Sequence, residues 1–163
     1  MAIPVVTAPL RHSLPANVCT GLRRKLGLAA ISSVAFVLLF TVGAVVGVVI
    51  IHSVGSLGVL LAIAYFAGVV LSLGVLSAAR RGQRAVAPDG IAVSAGRRAQ
   101  SAANSYTRLS RTAAALALVA GIVVALSRGD VSLVFMGVLC ALPLLSLASV
   151  ARGVARRLRP NLP

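Results

Sequence analysis

The chain has 163 residues, of which 59% are hydrophobic and 11% are charged, and its mean hydropathy is +1.02. Ordinary soluble domains carry about 25% charged residues, so this composition excludes a typical water-soluble domain. The formal net charge is +14, from 16 Lys and Arg against 2 Asp and Glu. In a soluble chain such a charge would indicate nucleic-acid binding. Here the basic residues lie between long apolar runs, so no nucleic-acid partner is expected.

Four apolar runs without Lys, Arg, Asp or Glu follow one another, at residues 26–51, 53–79, 112–127 and 131–151. A bilayer core of about 30 Å needs roughly 20 apolar residues per spanning helix, and the first, second and fourth runs are that long. The third is shorter, but the apolar stems of the flanking Arg111 and Arg128 can extend its buried length. None of the runs has a polar stripe that would face water. We therefore predict an all-α integral membrane protein with four transmembrane helices.

The basic residues predict the orientation of these helices. They fall in the N-terminal segment 1–25, the central segment 80–111 and the C-terminal segment 152–163. The two remaining links carry only His52 and the balanced pair Arg128 and Asp130. Because Lys and Arg accumulate on the cytoplasmic side, we predict two antiparallel hairpins, 26–79 and 112–151. A basic tail at each terminus and a basic loop at 80–111 are then cytoplasmic.

The segments outside the runs carry weaker local signals. Three prolines in residues 1–21 predict an irregular tail, and Pro88, Asp89 and Gly90 predict a turn in the central segment. Residues 94–110, rich in Ala, Arg, Gln and Ser, could extend the third helix into the cytoplasm. A composition rich in Ala, Val, Leu, Gly and Arg, with a single Lys, is typical of a high-GC genome. The expected location is thus the plasma membrane of a high-GC bacterium, with a GC-rich virus as the alternative source.

Small residues at four-residue spacing are the clearest pattern inside the runs. In lipid, burial of apolar surface contributes no net free energy to helix association, so helices associate where small residues let their backbones approach. We therefore predict helix-packing positions at Gly43, Gly47, Ala64, Gly68, Ala113, Ala117, Gly121, Ala125, Gly137 and Ala141.

Two further predictions concern Pro143 and the arginines. Pro143 lies in the middle of the fourth run, where it removes a backbone hydrogen bond and predicts a kink. Basic side chains next to anionic headgroups each gain on the order of 1 kcal/mol. Contacts with anionic lipid or a protein partner are predicted for Arg80, Arg81, Arg84, Arg97, Arg98, Arg156 and Arg157.

The residues that catalysis and cofactor binding need are scarce. The runs contain no titratable Asp, Glu, Lys, Arg or His, which usually mark ion paths and proton relays in membranes. There is no phosphate-binding loop, no Cys or His cluster, and no Ser with a base at suitable spacing. The sequence therefore predicts no catalytic residue, cofactor or metal site, and no enzyme activity.

The favoured hypothesis is a non-catalytic accessory or scaffold subunit of a membrane complex. It would pack its small-residue faces against a membrane protein or a second copy, while its arginines contact anionic lipid. The alternative is a small oligomeric channel, permease or holin-like pore, since hydroxyls and backbone carbonyls can line a path without charges. An enzyme acting on lipids is a third and weaker interpretation, because a base or metal site is missing.

Overall fold

The computed structural model describes residues 11–54, 56–88 and 90–161. In this part of the chain there are four α-helices, α1 Ala16–Val54, α2 Ser56–Ala85, α3 Val93–Arg128 and α4 Ser132–Leu158. A 3-10 turn, Arg159–Asn161, follows α4. All four helices are long and apolar enough to cross a membrane. The prediction of a helical protein with four potential transmembrane helices is confirmed.

Helices α1 and α2 pack against each other along their length and run antiparallel. Near the short link between them, Gly47 lies against the backbone of Ala62. At the far end, the Gln83 side-chain amide donates to the Arg23 carbonyl at 3.4 Å. Contacts at both ends of the pair define the first hairpin.

Helices α3 and α4 form the second hairpin, joined by a glycine turn. Gly129 has a left-handed backbone, with φ 66°, and its N–H donates to the Ala125 carbonyl. The Asp130 N–H donates to the same oxygen at 3.2 Å. Glycine is favoured here because a side chain strains this conformation. The turn sends α4 back along α3.

The helices extend well beyond the apolar runs. At about 1.5 Å per residue, the 39-residue α1 is about 58 Å long and the 36-residue α3 about 54 Å. The bilayer core is about 30 Å thick, so both helices are longer than a membrane span requires. Helix α1 begins directly after Pro15, whose carbonyl accepts the Val18 and Cys19 amides at 2.9 and 3.1 Å. The end of the predicted irregular tail is therefore helical.

The predicted loop 80–111 differs most from the structure. Its first residues continue α2 to Ala85, and α3 begins at Val93, so the suggested extension of the third helix is present. Two short strands, β2 Val86–Ala87 and β3 Gly90–Ala92, join the helices. They pair with β1, Arg11–His12, in an antiparallel sheet of order β1-β3-β2. The predicted turn residue Asp89 and residues 1–10 lie outside the described part of the chain.

The larger of two clusters of buried apolar residues lies at the end of the molecule where the basic residues gather. We call this buried set the basic-end core, and the strands close it, because Val86 and Ile91 are both part of it. Its members come from all four helices and from the sheet: Cys19, Leu22, Leu26, Ala29, Ala30, Ala78, Ala79, Ala85, Val86, Ile91, Ala99, Ala103, Val154, Ala155 and Leu158. The basic end is thus a folded layer in which the two hairpins meet.

A second, smaller cluster lies deeper in the apolar part of the helices. Phe40 of α1 and Val75 of α2 pack there with Ala114 of α3 and with Leu144 and Leu147 of α4. The ring of Phe40 meets the ring of Tyr65 edge-on, with centroids 5.8 Å apart. Outside this cluster most large apolar side chains of the helices face outward, as expected where lipid surrounds them.

Candidate functional site

The backbones of α3 and α4 come close together at two predicted packing residues, Gly121 and Gly137. A Cβ atom built on Gly121 would lie 2.8 Å from the Gly137 Cα, and one built on Gly137 would lie 3.0 Å from the Ala117 carbonyl oxygen. Only glycine leaves space for this contact. Along the same helices Ala125 and Ala141 are buried.

On the first hairpin, the predicted glycines lie beneath aromatic rings or against backbone. The Tyr65 ring covers Gly43, and the Phe40 ring covers Gly68. A Cβ atom on Gly47 would lie 2.9 Å from the Ala62 amide nitrogen. These three glycines therefore face the partner helix within their own hairpin.

The remaining predicted small residues line an apolar groove between the two hairpins. Ala64 contributes from α2, and Ala113 and Ala117 contribute from α3. The groove has a volume of about 260 Å³ and is lined mainly by apolar side chains of α2, α3 and α4: Leu60, Leu61, Ile63, Ala64, Ala67, Ala113, Leu116, Ala117, Ala120, Gly121, Val124, Leu133, Met136, Gly137, Cys140 and Leu144. Here the hairpins do not fill the space between them.

The arginines predicted to contact lipid or a partner are all exposed at the basic end: Arg80, Arg81, Arg84, Arg97, Arg98, Arg156 and Arg157. One of them also has an internal role. The Arg157 Nη1 donates to the Lys25 carbonyl at 2.8 Å and so joins α4 to α1.

A second cavity lies at the basic end between α3 and α4, with a volume of about 470 Å³. We call it the basic cavity, and its lining consists of Gln100, Asn104, Arg152, Ala155, Arg156 and Arg159. Sequence reasoning found only Arg156. The spacing of residues 152, 156 and 159 places three arginines on one helix face, and this was the signal that could have found the other two. The presence of Gln100 and Asn104 in the lining depends on how α3 packs against α4, which no local pattern indicates.

The hydroxyl groups within the helices mostly bond to their own backbone. Buried Ser33 donates to the Ala29 carbonyl at 2.8 Å, and buried Ser72 donates to the Gly68 carbonyl at 2.7 Å. The Ser110 Oγ is the buried side-chain polar atom without a hydrogen-bond partner among the described residues. No polar path is built from the two bonded serines.

Helix α4 continues on both sides of Pro143. Because proline has no N–H, the Leu139 carbonyl loses its usual partner. The nearby Ser146 hydroxyl donates to the Leu142 carbonyl at 3.0 Å and Ser149 to the Ser146 carbonyl at 2.7 Å. Neither serine replaces the lost bond, and the kink stays a prediction.

Within the described ranges, no three His, Cys, Asp or Glu side chains come close enough to hold a metal ion. The chemistry that this part of the molecule offers is therefore apolar packing in the groove and hydrogen-bond donation in the basic cavity. No protein-family model, curated protein or solved structure matches the chain.

Proposed function

We propose that this chain is a non-catalytic accessory or scaffold subunit of a membrane complex, inserted with its basic end in the cytoplasm. The observation that carries the proposal is the apolar groove between the hairpins. Its occupant would be a transmembrane helix of a different protein. The predicted location in a bacterial plasma membrane is part of the same proposal.

The lining of the groove supports a helix as its occupant. Alanines line it on two sides, Ala64 and Ala67 on α2 and Ala113, Ala117 and Ala120 on α3. Small side chains let a third backbone come close, and close approach is what stabilises helix association in lipid.

Charge supports a different protein over a second copy. The chain has a net charge of +14 and two acidic residues, one of which, Asp130, follows α3 at the end opposite the basic core. Two copies side by side in one orientation would place their arginines next to each other, which is unfavourable. A partner with an acidic cytoplasmic surface would relieve this repulsion and fix the orientation of docking.

The internal hydrogen bonds of the spans argue against a pore. A conducting path needs polar groups directed towards it, but Ser33 and Ser72 donate to carbonyls of their own helices. A homo-oligomer that conducts ions in liposomes would contradict the proposal and favour the channel alternative.

The test is affinity purification of the tagged full chain from native membranes in mild detergent, with a variant that fills the groove. Ala67→Leu adds volume inside the groove, and Ala35→Leu is the matched control, because Ala35 is exposed on α1 outside it. We expect a stoichiometric membrane protein that is lost with Ala67→Leu and kept with Ala35→Leu. Equal recovery with both variants would show that the groove is not its binding site.

A further inference from the structure

We propose that the basic cavity is a binding site for the phosphate headgroup of an anionic phospholipid. Arg152, Arg156 and Arg159 line it from α4 and the 3-10 turn, and Gln100 and Asn104 line it from α3. This site extends the proposed function from a protein partner to a lipid.

The donors of the cavity suit a phosphate. An arginine guanidinium presents several N–H groups in a planar fork, which binds phosphate oxygens in pairs. Three arginines at helical spacing on α4 and the 3-10 turn line the same cavity as two residues of α3 that carry neutral amides. Buried Ala155 lies between them and leaves space for the ligand. Lysines would give the charge without the paired geometry, and none lines this cavity.

The charge in the cavity is not neutralised within the described part of the chain. No carboxylate lines it, and the side chains of Arg152, Arg156 and Arg159 make no hydrogen bond or ion pair with any described residue. Their neighbour Arg157 behaves differently, because it is held by the Lys25 carbonyl. An anionic ligand would therefore add charge-assisted hydrogen bonds without breaking internal ones.

The position of the cavity selects a lipid over a soluble phosphate. Arg152 directly follows the last apolar run, so it lies at the boundary of the hydrocarbon core. The headgroup layer beyond that boundary is about 5–8 Å thick. Arg156 lies about 6 Å further along the helix, at about 1.5 Å per residue, which places the centre of the cavity at headgroup depth. Basic pockets between transmembrane helices are known to take cardiolipin headgroups.

The experiment measures lipid binding to the purified full chain in nonionic detergent by native mass spectrometry, with cardiolipin as the probe and phosphatidylcholine as the neutral lipid. The site variant is R152Q/R156Q/R159Q, and the matched control is R23Q/R24Q/R108Q. The control removes the same charge from exposed arginines at the same end, outside the cavity. All six side chains are exposed, so both variants keep the core intact.

We expect one tightly bound cardiolipin per chain, with phosphatidylcholine at least tenfold weaker. The site variant should weaken cardiolipin binding at least tenfold, and the control variant less than threefold. Equal weakening in both variants would show that the net charge, and no particular site, attracts the lipid. No weakening in either would also overturn the proposal.

Two further measurements test the geometry of the site and the source of its ligand. Asn104→Leu keeps the charge but removes a donor, and should weaken cardiolipin binding several-fold, while Ser105→Leu on the same helix should not. Displacement of cardiolipin by millimolar inorganic phosphate would identify a soluble phosphate as the ligand and contradict the lipid assignment. The assay needs no protein partner, so a negative result here would leave the proposed protein partner untouched. Failure to find that partner would likewise leave the lipid site untouched.

Discussion

The basic end and the apolar half of this molecule are packed by different rules. At the basic end, side chains from four helices and a small sheet form a continuous core, and Leu26, Ile91 and Leu158 are completely buried. In the apolar half, most large side chains face outward, and the hairpins leave a groove of about 260 Å³ between them.

The proposed insertion explains this difference. Where helices project into water, burial of apolar surface is worth about 25 cal/mol per Å², so a compact core is expected at the basic end. In lipid that drive is absent and packing depends on close backbone approach. The contact between Gly121 and Gly137 is such a close backbone approach. The groove is a region where the helices of this chain do not approach each other in this way.

The largest expected effect is in the basic-end core. Leu26→Ala removes a fully buried side chain and should destabilise the fold by about 2–5 kcal/mol, whereas Leu28→Ala, two residues on and 57% exposed, should change stability by less than about 0.5 kcal/mol. Thermal unfolding in one detergent measures both. Equal melting temperatures for the two variants would show that the basic end has no core.

A smaller effect is expected at the contact between α3 and α4. Gly121→Leu places a side chain against the Gly137 backbone, and overpacking of this kind costs about 1–3 kcal/mol. Gly153→Leu on α4 is the control, because no atom lies within 4 Å of its built Cβ. A disulfide between cysteines placed near the two glycines would report their separation. If the two leucine variants are equally stable, the contact does not hold the hairpin.

The most local effect is expected at the sheet. Gly90 has φ 151°, and a Cβ there would meet the His12 carbonyl. Gly90→Ala should therefore cost about 1–3 kcal/mol locally and loosen the pairing of β1 with β3. Hydrogen exchange of the Ile91 and Ala92 amides measures this loosening, with Gly21→Ala as the control, since its Cβ meets open space. Unchanged exchange in Gly90→Ala would contradict the described register.

The apolar helices could be predicted from the sequence because length and hydropathy alone determine which segments suit a membrane. The continuation of α3 could be suggested only weakly. Its buried face consists of Gly96, Ala99, Ala103, Thr107 and Ser110. These small residues at helical spacing give little contrast with the exposed arginines. The helical start of α1 at Ala16 was hidden by the prolines before it.

Features that depend on contacts between distant segments could not be predicted. The pairing of Arg11 with Ala92 joins strands from different parts of the chain, and no local pattern indicates it. The basic cavity needs Asn104 on α3 to face Arg156 on α4, which depends on the register of the second hairpin. Glycine spacing could predict that a close contact exists, but not that Gly121 meets Gly137.

The most direct test of the central claim, that another protein's helix completes the groove, is site-specific photo-crosslinking in native membranes. A photoreactive residue replaces Leu116, which is 69% exposed and lines the groove, or Val119, which is 56% exposed and lies outside it. We predict a crosslink from position 116 to one different membrane protein and only lipid adducts from position 119. Lipid adducts alone at both positions, or a crosslink to a second copy of this chain, would contradict the account.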